Sequence, residues 1–158
     1  MRIIGGALGG VVGSVLMAVP MLAARAAGLL RKPPPEQITE GLLERAGIQL
    51  DRQTEDRLAA FFHLGFGAGA GALYGALVPT RDVPRPVALG LGYATVIYLV
   101  SYGGWVPALG LMPRADKDDP ARQLVMLLAH WMYGTTIALA TVAASRGDVP
   151  STSEPRIA

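Results

Sequence analysis

Four stretches of this 158-residue chain contain no Asp, Glu, Lys or Arg: residues 3–24, 58–80, 86–113 and 123–145. Each exceeds the roughly 20 apolar residues that carry a helix across a bilayer core of about 30 Å. All the formal charge lies in the segments between them and at the two ends of the chain. Such a pattern excludes a water-soluble globule and a disordered chain, and nothing in it alternates with period two as a membrane β-barrel requires. The fold class expected is all-α: an integral membrane bundle of four transmembrane helices.

The expected spans are about 3–24, 58–79, 87–106 and 122–145, within a single domain covering 1–145; residues 146–158 read as a flexible tail. A secretory signal has an apolar core of about 7–15 residues. The first run is longer, so Ala24-Arg25-Ala26 is read as the end of a retained helix rather than a cleavage site. Pro86 suits a helix start, and Pro107 is expected to end the third helix. Tyr102 and Trp105 are then expected at the interface as belt aromatics. Residues 81–85 are short enough to make an antiparallel hairpin of spans two and three.

The polar segment between spans one and two has a pattern of its own. After Lys32-Pro33-Pro34-Pro35, residues 36–46 read as a short amphipathic helix, with Ile38, Leu42, Leu43 and Ala46 on an apolar side and Glu40, Glu44 and Arg45 opposite. That apolar side either lies on the membrane or a partner, or packs on the end of the bundle itself. Gly47 suits the residue after the last turn, and Asp51 suits the cap of a helix running into span two.

With no Cys and a net charge of +2, thiol chemistry and a nucleic-acid partner both drop out. Arg2, Arg81, Arg85, Arg146 and Arg156 fall on one membrane face and the rest of the 14 Lys and Arg on the other. Basic residues favour the cytoplasm, so segment 25–57 is expected inside and the termini outside.

Gly5, Gly9 and Gly13 recur every four residues, Gly6, Gly10 and Ser14 form the adjoining stripe, and Gly67, Gly71 and Gly75 repeat the spacing in span two. Small residues so spaced let membrane helices approach closely. They are read as helix-packing residues, within the chain or between copies, and Gly134 joins them.

His63 and His130 are the ionisable side chains expected inside spans, which makes them functional candidates. They lie roughly 9 Å and 12 Å below the same face. The segments His63-Leu64-Gly65-Phe66-Gly67 and His130-Trp131-Met132-Tyr133-Gly134 share a pattern, which is either a duplicated pair of spans or coincidence. Two imidazoles beside glycines would suit a bis-His haem b; they equally suit structural histidines bonded to carbonyls, or a proton or ion path. Asp116, Asp118 and Asp119 either hold a hard cation or, more simply, open a helix at Pro120. No catalytic triad, phosphate loop or zinc spacing occurs, so no catalytic residues, metal or enzyme activity are expected.

Four segments carry a resemblance: 34–40 with 42–47 (Pro34-Pro35-Glu36-Gln37-Ile38-Thr39-Glu40, then Leu42-Leu43-Glu44-Arg45-Ala46-Gly47), His63-Leu64-Gly65-Phe66-Gly67-Ala68, the run from Ser101 to Gly110, and Ala129-His130-Trp131-Met132-Tyr133-Gly134. Together they resemble the YagU-like family of uncharacterised bacterial inner-membrane proteins. The resemblance implies a multi-pass protein of the bacterial inner membrane and carries over no activity. The expected role is a non-enzymatic structural or accessory subunit, in contact with the lipid bilayer and with itself or other membrane subunits. A haem-binding electron carrier and a small transporter or channel are the competing readings.

Overall fold

The computed structural model describes residues 1–29, 32–79 and 84–146. The expected tail beyond residue 146 and most of the 81–85 connector lie outside the described residues. The chain forms α1 (Arg2–Ala26), α2 (Pro34–Arg45), α3 (Arg52–Leu77), α4 (Pro84–Val100), α5 (Val106–Ala108) and α6 (Pro120–Arg146). Four helical segments are long and apolar enough to cross a membrane: α1, α3, α6 and the stretch Arg85–Ala108. This is the four-helix bundle of a multi-pass membrane protein, with α2 as the short helix between spans one and two.

The third span departs from expectation. Pro107 does not end it; a π turn at Ser101–Trp105 leads into α5, where Pro107 occupies the first turn and needs no N–H partner. The distortion centres on Gly104, at φ −112° and ψ −106°. Tyr102 is correspondingly not a belt aromatic. It is buried, and its hydroxyl donates to the carboxylate of Asp118, while Trp105 stays partly exposed. In α1 the helix continues through Pro20, as membrane helices allow.

The helix ends follow local chemistry. Asp51 caps α3, with Oδ1 accepting from Thr54 N at 3.1 Å and Oδ2 from Thr54 Oγ1 at 2.6 Å. Asp119 Oδ1 accepts from Ala121 N at 2.7 Å at the start of α6. Gly47, at φ +67°, takes the left-handed conformation just beyond α2.

α1 is the central element, packed along both α3 and α6, while α4 packs on the other side of α6. The two small-residue stripes of α1 divide the work. Gly5 and Gly9 meet Ala144, Ala140 and Ile137 of α6, and Gly13 meets Tyr133 there. Gly6 faces Gly71 and Gly75, and Gly10 faces Gly67, all on α3. A Cβ on Gly6 or Gly10 would run into a backbone carbonyl of α3, so backbone touches backbone along this contact. Gly134 makes the matching approach to Gly90 and Ala94 of α4.

Candidate functional site

A bilayer core offers no water to a phenol or an imidazole, so a polar ring inside a span must find its partner within the protein. The aromatic residues are sorted accordingly. All three phenylalanines face outward: Phe61 is 69%, Phe62 54% and Phe66 57% exposed. All five tyrosines donate their hydroxyls to acceptors of the chain, four of them carbonyls and the fifth a loop carboxylate. Tyr74 donates to Pro86 O, Tyr93 to Ala70 O at 2.9 Å, Tyr133 to Gly67 O at 2.6 Å, Tyr98 to Gln123 O at 3.4 Å, and Tyr102 to Asp118.

These rings form a polar seam where α3, α4 and α6 converge. Tyr74 and Tyr93 tilt against each other at 5.5 Å between α3 and α4, and Tyr98 stacks on Tyr102 at 5.2 Å. Both histidines belong to the seam. His130 Nδ1 lies 2.7 Å from Met126 O, and its ring meets the edge of Tyr98 at 5.4 Å. His63 lies against the backbone of Ser14 and within electrostatic range of His130. Among the described residues His63 Nε2 and Ser14 Oγ are buried without a hydrogen-bond partner, so α1 and α3 each present an unused polar atom here.

The two five-residue segments that look alike in sequence occupy comparable places. Gly67, four residues after His63, meets Gly10; Gly134, four residues after His130, meets Gly90. The aromatic positions differ, because Phe66 faces outward while Tyr133 is 4% exposed and reaches α3.

The same packing bears on a haem. Glycines beside both histidines read as room for a flat ring. Gly67 is covered by Gly10 and Ser14, Gly134 by Gly90 and Ala94, and Tyr133 spans from α6 to α3. The space beside these glycines is thus taken by protein, and the two imidazoles lie within electrostatic range of each other.

At the membrane face carrying α2, the three loop aspartates go to different partners. Asp116 pairs with Arg114 at 3.0 Å, Asp119 caps α6, and Asp118 holds Tyr102 and lies 3.4 Å from Arg122 Nε. The Arg114 guanidinium, through its hydrogen bond, holds Asp116 below the ordinary carboxylate value. Among the described residues no three His, Asp or Glu side chains converge as a metal site.

α2 is tied down by Lys32, which bonds Glu40 of α2 at 2.7 Å and Glu55 of α3 at 3.1 Å. Burial opposes the Lys32 charge, but the two carboxylates outweigh it and raise its pKa above the ordinary 10.5. Ile38 packs against the core and Leu43 is half-buried, whereas Leu42 and Ala46 are exposed. The apolar side expected of this helix is therefore divided between the bundle and the outside.

No family model, curated protein or solved structure matches this chain. The tyrosines are what the sequence reading missed. The available signal was that all five lie inside spans, where each hydroxyl needs an internal acceptor.

Proposed function

We propose that this protein is a non-enzymatic membrane subunit, structural or accessory, that assembles with copies of itself or with other membrane proteins. The observation that carries the reading is the outer face of α3. Phe61 and Phe62 meet edge-to-face at 5.9 Å, with Phe66 one turn further on, while the glycine stripe of α3 is already covered by α1. Large rigid rings on an outward face suit contact with neighbouring spans. The tyrosine hydroxyls, each engaged by a protein acceptor, support a packing role for the seam. The placement proposed is the bacterial inner membrane, in keeping with the YagU-like resemblance. There residues 25–57 face the cytoplasm, and a reporter active only in the cytoplasm is silent when fused after Ala158.

Purification in mild detergent followed by native mass spectrometry tests the role. A defined oligomer, or a stoichiometric membrane partner lost in the Phe62→Ala, Phe66→Ala double variant, supports it; a monomer that crosslinks to nothing in intact membranes overturns it. The Nε2 of His63, buried without a partner among the described residues, favours a second reading, a bis-His haem b electron carrier. Its signature is a Soret band abolished by either His63→Ala or His130→Ala; a colourless protein excludes it.

A further inference from the structure

The polar side of α2 borders an open crevice. Gln37, Glu40, Gly41, Glu44 and Arg45 recur at helical spacing and, with the turn Gly110–Leu111, line about 280 Å³. The turn is rigidly placed: Gly110 sits at φ +62°, and Gly110 N and Leu111 N bond back to Pro107 O and Val106 O at 2.9 and 3.1 Å. The helix and turn approach closely, since a Cβ on Gly41 would come within 2.7 Å of Leu111 Cδ2. The crevice lies between α2 and the turn that follows the third span, which ends at Ala108.

Its charges are arranged in an unusual way. Glu40 is ion-paired with Lys32, which it shares with Glu55. Arg45, whose Nη2 lies near Gly110, and Glu44 beside it have no ion pair among the described residues. Beside the paired Glu40, the crevice thus offers one guanidinium and one carboxylate, Arg45 and Glu44, without an ion pair among the described residues. Around this end Leu42, Ile48, Leu50 and Leu109 are exposed hydrocarbon.

We propose that this crevice binds the headgroup of a zwitterionic, ethanolamine-type phospholipid. The Arg45 guanidinium takes the phosphate through its forked N–H donors, and the Glu44 carboxylate takes the ammonium. The acyl chains run along Leu42 and Leu109. A headgroup with both charges satisfies both residues, whereas an anionic glycerol headgroup leaves Glu44 unpaired and adds a negative charge beside it. The site also explains why α2 keeps an open polar side while Lys32 anchors it to α3.

The test is native mass spectrometry of the full-length protein released from mixed micelles containing equal amounts of phosphatidylethanolamine and phosphatidylglycerol. Phosphatidylethanolamine is expected to be retained preferentially, by roughly five- to tenfold for a charge-assisted pair of contacts. Arg45→Ala removes retention of both lipids; Glu44→Gln keeps binding and loses the preference. Both residues are exposed, so circular dichroism and melting of the variants should match the parent. Equal retention of the two lipids, unchanged retention in Arg45→Ala, or displacement by inorganic phosphate alone overturns the proposal.

Discussion

The hydroxyl of Tyr133 on α6 donates to the backbone carbonyl of Gly67 on α3 at 2.6 Å, past the α1 glycine Gly13, which lies against the same ring. Three of the four spans thus meet at one side chain. Because Gly67 in turn faces Gly10 and Ser14, this bond sits where the closest backbone approach and the polar seam coincide.

Tyr133→Phe retains the ring and removes the donor. Hydrogen bonds between membrane helices average about 0.6 kcal/mol and reach about 1.7 kcal/mol; the buried position of this one places it toward the upper end. Thermal unfolding in detergent should show a fall of that size. No change in melting would mean the ring alone holds the contact.

The glycines divide into two groups with opposite expectations. Gly71→Leu drives a side chain into the Gly6 carbonyl of α1, and overpacking of this kind costs about 1–3 kcal/mol, toward the upper end where the neighbour is backbone. Its effect should appear in stability and not in oligomer size, because the contact lies within one chain. Gly69 has nothing near its absent Cβ, so Gly69→Ala should leave melting unchanged or raise stability by up to about 1 kcal/mol. Equal responses from the two variants would contradict the packing described.

Lys32 links the α1–α2 connection to α2 and α3 through Glu40 and Glu55. Its pKa is raised in the folded protein, so the contribution is complete below the unfolded value near 10.5 and disappears as pH rises through the folded one. The pair network is partly exposed and contributes no more than about 1 kcal/mol. Amide exchange in α2 should accelerate up to about fivefold in Lys32→Gln at neutral pH, while α6 is unaffected. Uniform acceleration would indicate global rather than local loosening.

Asp51 caps α3 through Thr54. The side-chain and backbone bonds from Thr54 hold its carboxyl below the ordinary 3.8, so the cap's contribution is present above that value and is lost as pH falls through the folded pKa. Exchange of the Thr54 amide should rise in acid for the parent and already be fast at neutral pH in Asp51→Ala. Asp51→Asn keeps a capping oxygen without a titrating group and should lack the acid response. An acid response in Asp51→Asn would assign the effect to another group.

The four spans, the short helix near Pro33-Pro34-Pro35 (which starts at Pro34, two residues earlier than expected, because Pro suits the first helical turn), the Asp51 cap and the Gly47 turn were legible in the chain because each depends on near neighbours. Hydropathy, periodicity and capping are local, and bilayer thickness converts a run of apolar residues directly into a span. Glycine spacing also marked close packing, since only small residues permit backbone approach. What local pattern does not contain is which helix fills each groove. That α1 uses one stripe against α6 and the other against α3, that Tyr102 turns inward to Asp118, and that Tyr133 reaches Gly67 all depend on residues from 16 to more than 100 positions apart. In hydrocarbon, a polar group must find its acceptor inside the fold, and the location of that acceptor was decided by the tertiary packing alone.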